Sequence, residues 1–120
     1  MATPIYNSHG DTVGWIDEHV MRHLDGSAVA FIENGSVFNY GGRYVGYLDN
    51  GYFRDQNGHA VAFVQGAKGG PLLPLPKLPP VPPLFTIAPI PPIPPIPPIR
   101  PLSTFAWSVM DWEEYLSGEK

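Results

Sequence analysis

Ahead of residue 67, the apolar positions of the chain recur every sixteen residues. Gly10, Gly26, Gly42 and Gly58 mark the frame, and Val13, Val29, Val45 and Val61 follow three residues behind them. A small residue comes next in every copy (Gly14, Ala30, Gly46, Ala62), then an aromatic (Trp15, Phe31, Tyr47, Phe63) and an aliphatic (Ile16, Ile32, Leu48, Val64). An acid or amide closes the set (Asp17, Glu33, Asp49, Gln65). A fixed period of this kind marks a repeat architecture in which each copy is one supersecondary unit. Runs such as Arg43 to Asp49 alternate β-branched or aromatic residues with small ones, and turn signals bound them: Asn34-Gly35, Asn50-Gly51 and Asp55-Gln56-Asn57-Gly58. The pattern predicts an all-β fold of eight short strands, built as four 16-residue β-hairpin repeats. One hairpin cannot bury a face alone, so the four are expected to pack around a pseudo-fourfold axis, which also hides the strand edges. Strict alternation puts each valine and aromatic on one face and the small and aliphatic residues on the other, with the small residues near the axis.

A second pattern lies over the first. Gly14 and Gly46 alternate with Ala30 and Ala62, and Tyr6 and Phe38 alternate with Arg22 and Arg54, so the repeats match best as doublets of 32 residues. The two diagonals of the domain are expected to differ chemically. Arg22 and Arg54 could bind an anion as a pair, although solvent exposure is the simpler expectation.

The period then changes to three. Of the 16 prolines, 15 lie between Pro71 and Pro101, a density that no packed helix or central strand tolerates. The chain therefore divides into a four-repeat β domain (1–67), a Pro/Ile-rich polyproline II arm (68–101) and a Trp-containing tail (102–120). Polyproline II has three residues per turn, so Ile90, Ile93, Ile96 and Ile99 form one apolar stripe. Fully extended, the tract from Pro71 to Pro101 reaches about 96 Å, against a radius of gyration of about 11 Å for a 67-residue domain. It must wrap the domain, fold back near Leu84 to Ala88, or reach another molecule. A preordered proline helix loses little entropy when it docks on an aromatic surface. The candidate partner-binding residues are thus Ile90, Ile93, Ile96, Ile99, Trp107 and Trp112, and the candidate receiving surface is Trp15, Phe31, Tyr47 and Phe63. In the tail, Ser108 is placed to cap a helix from Val109 to Leu116, with Asp111 completing a capping box and Trp107 and Trp112 a hydrophobic staple. Eight residues need a surface to lie on.

Charge and composition narrow the function. The net charge of −4 is split among an acidic β domain, a basic arm (Lys68, Lys77, Arg100) and an acidic tail, with no clustered basic face for nucleic acid. There are no cysteines, which removes disulfides, thiolate metal sites and thiol nucleophiles. The beginning of the chain lacks a secretory leader and prolines break every long apolar run, so no membrane span and a cytoplasmic location are expected. His9, His19, His23 and His59 fall at different repeat positions and form no ring of ligands. The repeating Asp17, Glu33, Asp49 and Gln65 suit the turns they precede. No catalytic, cofactor or metal site emerges, and no catalytic motif is present.

The segment Val37-Phe-Asn-Tyr-Gly-Gly-Arg-Tyr-Val-Gly-Tyr-Leu-Asp49 resembles the repeats of the bacterial four-fold beta-flower domain family, and Ile99-Arg-Pro-Leu-Ser-Thr-Phe-Ala-Trp107 resembles the tails attached to it. MORN-type repeats and choline-binding wall repeats have longer periods. The resemblance implies a compact four-hairpin β fold and carries no functional residues. The expected function is a non-enzymatic interaction or self-assembly module, whose arm and tail dock on the β domain, a sister copy or another protein. The alternative is a small-ligand or carbohydrate-binding domain that exposes its repeated aromatics.

Overall fold

In a computed structural model that describes residues 2–118, the sixteen-residue repeats lie on eight antiparallel strands. These are β1 (Ala2–Asn7), β2 (Thr12–Asp17), β3 (Val20–His23), β4 (Ala28–Glu33), β5 (Ser36–Asn39), β6 (Tyr44–Asp49), β7 (Tyr52–Arg54) and β8 (Ala60–Phe63). Each strand pairs with its neighbours in sequence, and β1 meets β8 through Tyr6 opposite Phe63 and Asn7 opposite Ala62, closing a barrel. Closure leaves no open sheet edge. The Asn-Gly turns have φ > 0 at both central residues (Asn34 52°, Gly35 79°; Asn50 49°, Gly51 87°), the requirement of a type I′ hairpin.

The valines depart from simple alternation. The pairing slips by one residue at the same place in each repeat: Ile5 faces Gly14 but Tyr6 faces Thr12, which leaves Val13 as a bulge. Val29, Val45 and Val61 are skipped in the same way. A bulge lets two successive residues on one strand oppose one on its partner. The valines therefore join the small and aliphatic residues in the interior cluster, and the aromatics are left on the outer wall. Ile5, Met21, Val37 and Phe53, again sixteen apart, complete the interior and are fully buried.

The tail plugs the barrel. Helix α1 (Trp112–Leu116) starts at Asp111, not at Ser108: Glu114 N donates to Asp111 Oδ1 (2.8 Å) and Asp111 N to Glu114 Oε1 (3.3 Å), a capping box three residues later than expected. Ser108 is otherwise engaged. Its hydroxyl donates to Asp55 Oδ2 (2.6 Å) and its N–H to Ala60 O (2.7 Å), so the chain is tied to β8 there and cannot yet turn into a helix. Trp112, Tyr115 and Leu116 enter the interior cluster. Glycine is required on this diagonal chiefly by the neighbouring strand: a Cβ on Gly14 would lie 2.5 Å from Arg22 O, and one on Gly46 would strike Arg54 O and also lie 2.9 Å from the Tyr115 ring of α1. Asn39 Nδ2 holds the far end of the helix, donating to Leu116 O and Ser117 O at 3.1 Å. Among the described residues, no helix is long and apolar enough to cross a membrane.

Candidate functional site

Between the barrel and α1, residues 72–104 form neither helix nor strand, and they bind the barrel at the frame glycines. Lys77 N donates to Gly10 O (2.9 Å), Thr86 N to Gly26 O (3.4 Å) and Thr104 N to Gly58 O (3.1 Å). The donors are nine and eighteen residues apart, and the acceptors sixteen and thirty-two. Nine arm residues therefore serve one barrel repeat. At the remaining repeat the donor position is Pro95, which has no N–H to give. A Cβ on Gly42 would meet nothing within 4 Å, whereas one on Gly10 or Gly26 would strike the arm carbonyls of Leu75 (2.5 Å) or Leu84 (2.7 Å), and one on Gly58 that of Leu102. At these three turns glycine supplies both the positive φ and the room for the arm.

The arginine diagonal holds the arm from beneath. Arg54 is fully buried, contrary to the exposure expected for it, and its guanidinium donates to Gly58 O (2.8 Å), Thr104 O (2.7 Å) and Gly69 O (3.1 Å). Arg22 repeats the arrangement more loosely, with Gly26 O at 2.8 Å, Thr86 Oγ1 at 3.5 Å and the Phe85 ring 4.8 Å from Cζ. A planar fork matches several carbonyls at once, which pairs the terminal nitrogens of Arg54; Nε of Arg54 is buried without a hydrogen-bond partner, and that of Arg22 lies 3.6 Å from Asp17 Oδ2. On the other repeats the arm supplies the cations. Lys77 Nζ lies 2.6 Å from Asp11 Oδ1, a hydrogen bond that holds the Asp11 carboxyl below its ordinary range. Arg100 donates to Asn34 O (2.9 Å) and lies over Tyr47, whose hydroxyl donates to Pro101 O (3.3 Å).

The seam where β8 meets β1 is covered by both ends of the arm. Tyr6, Tyr52, Ala60 and Phe63 form an outer cluster, and Leu73 and Trp107 pack on it. Tyr52 OH donates to Pro71 O (2.6 Å), and Trp107 lies beside Ala60 as a short parallel bridge. The two tail tryptophans are thus separated: Trp107 lies on the outer seam and Trp112 inside the barrel.

The aromatic set, expected to receive the arm or, on the alternative reading, to stand open to a ligand, is covered. Trp15, Phe31, Tyr47 and Phe63 are 1–5% exposed; alternation with the interior small residues puts them on the outer wall, where Arg100 and Pro101 meet Tyr47 and Trp107 meets Phe63. The isoleucines do the opposite. Ile90, Ile93, Ile96 and Ile99 are 94–98% exposed, so they do not attach the arm to its own barrel. They belong to a longer series: every third residue from Leu72 to Phe105, twelve in all, is apolar and at least 75% exposed. The backbone is held to the barrel at three frame glycines, many of the prolines are exposed as well, and the apolar edge faces out.

A family model described as 4-fold beta flower protein matches residues 3–116. The chain belongs to this family. The matched span takes in the arm and α1 as well as the beta-flower barrel. Searches of curated proteins and of solved structures returned no match.

The cavities of this beta flower offer little free chemistry. One of about 540 Å³ is lined by Asp55, His59, Trp107, Ser108 and Glu114 among others, and polar groups on its wall are paired: Ser108 Oγ with Asp55, and His59 Nδ1 with Thr104 Oγ1 at 2.8 Å. Among the described residues, no group of three or more His, Cys, Asp or Glu is placed to hold a metal ion. The nine-residue register has a direct test: Thr104→Pro, which removes the N–H donated to Gly58, is expected to cost about 2 kcal/mol, while Ile93→Pro on the outward edge is expected to cost less than about 0.5 kcal/mol. Equal losses in urea titrations of the two variants would refute the register.

Proposed function

We propose that this beta flower is a non-enzymatic interaction module whose barrel holds its own proline arm as a rigid belt and displays the arm's aliphatic edge to other molecules. The observation that carries the reading is the exposure of twelve apolar side chains at every third position along a chain segment that the barrel holds at Gly10, Gly26 and Gly58. Exposed apolar series of this size mark interaction surfaces on soluble proteins. Geometry supports a belt in polyproline II form. At about 3.1 Å per residue, nine residues span about 28 Å, and four such arcs make a circuit of about 112 Å, or about 36 Å across. The molecule measures 36 × 35 × 21 Å. A belt already ordered by Arg22, Arg54 and the glycine turns loses little further entropy on docking.

Burial of Trp15, Phe31, Tyr47 and Phe63 disfavours the small-ligand alternative, which requires those rings to be open. The experiment replaces Ile90, Ile93, Ile96 and Ile99 together by serine. The thermal midpoint is expected to stay within about 2 °C, since exposed substitutions are near neutral, while binding of an apolar fluorescent dye and retention on a hydrophobic-interaction column both fall. Unchanged retention, or a large loss of stability, would refute the displayed edge.

A further inference from the structure

The outward edge of the arm has one occupant to which its own chemistry matches it: the same edge on another copy of this chain. We infer that beta flowers associate laterally, rim to rim, through the stripe that runs from Leu72 to Phe105. This rests on the displayed-edge reading above and adds the identity of the partner. Two observations carry it. The edge repeats every three residues, so two such edges share one spacing of about 9 Å and can interdigitate at any position around the rim. None of its twelve residues is charged despite the net −4 of the chain, and the flanking cations, though exposed, are paired with the barrel, Lys77 with Asp11 and Arg100 with Asn34 O and the Tyr47 ring. Like edges therefore meet without direct repulsion.

Area sets the strength. Burying one aliphatic side chain removes about 60–120 Å² of apolar surface from water. Twelve of them amount to about 700–1,400 Å² on each copy, as much as one partner contributes to a standard interface. The rim is convex, however, so two discs touch along only about three side chains each, and one contact buries about 400–700 Å². A single contact of that size is weak. The stripe continues around the rim, so each disc can hold several neighbours at once, and multiple weak contacts reinforce one another. The expected behaviour is a monomer when dilute and flat clusters above a threshold concentration. A lipid bilayer is a poorer occupant, because a proline-rich extended chain has unpaired carbonyls that hydrocarbon cannot satisfy.

The absence of cysteine allows a direct experiment on the full chain. Ile93→Cys places a thiol on the stripe, and Glu113→Cys places one on the exposed side of α1. At about 10 µM both thiols are expected to react with a maleimide at the rate of a free thiol, and at about 1 mM the Ile93→Cys thiol is expected to slow at least threefold while the Glu113→Cys thiol does not. Adding Ile90→Ser, Ile96→Ser and Ile99→Ser to Ile93→Cys is expected to abolish the protection. Equal rates at both concentrations, with sedimentation as a monomer throughout, would overturn lateral association and leave the displayed edge intact. Slow reaction of the Ile93→Cys thiol even when dilute would mean that the edge is covered within one chain, and both readings would fall. Protection that survives the three serines would show that the stripe is not the contact.

Discussion

Replacing Arg54 by alanine is expected to lower stability by about 4 kcal/mol, which for a chain of this size corresponds to a drop of roughly 12–20 °C in thermal midpoint. The side chain is fully buried and donates to three carbonyls, two of which, Thr104 O and Gly69 O, lie beyond the barrel strands at the two ends of the arm. Truncation leaves those carbonyls without a donor in a site that water cannot easily fill, and it also opens a cavity beneath Tyr52, whose ring lies 5.1 Å from the guanidinium carbon. Arg54→Lys retains the charge but reaches fewer of the three acceptors, so it is expected to recover less than half of the loss. Arg22→Ala is expected to cost less than Arg54→Ala, because Arg22 has one short bond, to Gly26 O, and a longer one to Thr86. Trp107 sits on the seam beside the Arg54 site, so its emission should shift to the red as the arm detaches. A variant order other than Ala below Lys below the parent protein, or an Arg54→Ala midpoint within about 2 °C of the parent, would remove Arg54 from its role as the clasp.

The barrel was legible because its determinants are local and repeated. The Asn34-Gly35 and Asn50-Gly51 turns and the sixteen-residue frame name the hairpins without help from distant residues. The bulges were not legible in the same way. A bulge is decided by pairing, and nothing in Val13 or its equivalents distinguishes a bulged valine from one in a regular strand. That single slip turns Val13, Val29, Val45 and Val61 into the interior, away from the face they were expected to share with Trp15, Phe31, Tyr47 and Phe63. The arm contacts are long-range, linking residues 15 to 67 positions apart, and so escape periodicity within either segment alone. One signal was present. In the proline tract, Lys77, Thr86 and Thr104 are non-proline residues at multiples of nine, and Thr86 and Thr104 are eighteen apart, as Arg22 and Arg54 are thirty-two apart. Dividing one period by the other would have paired them. The helix cap moved from Ser108 to Asp111 for a related reason: the competing partner of Ser108 is Asp55, which lies 53 residues away.

Tyr115 is the residue through which the plug can be tested separately from the arm. Its side chain is fully buried inside the barrel mouth, stacked on Trp112 at 5.4 Å, and its hydroxyl has no hydrogen-bond partner. Tyr115→Ala is expected to cost about 3–5 kcal/mol, the usual range for emptying a buried aromatic site, with Trp112 becoming exposed. Tyr115→Phe keeps the volume and removes the orphaned polar group, so it is expected to be neutral or stabilising by about 1 kcal/mol. The two variants differ again at high pH. Burial pushes the Tyr115 hydroxyl well above its ordinary value, and the nearby Tyr44, Asp55 and Tyr47 act in the same direction. The folded state therefore holds this proton more tightly than the unfolded chain, in which tyrosine titrates near pH 10. Stability that depends on the neutral ring is complete below about pH 10 and is lost as the pH rises above it, because only the unfolded chain gains by ionising. Tyr115→Phe removes that loss, so its thermal midpoint should fall less than the parent's between pH 9 and pH 11. The slope should not vanish altogether, since Tyr40, Tyr44 and Tyr52 are also raised by burial. Parallel alkaline limbs for the parent and Tyr115→Phe would mean that the ring is already open to water, and the helix would then be lying on the barrel mouth rather than filling it.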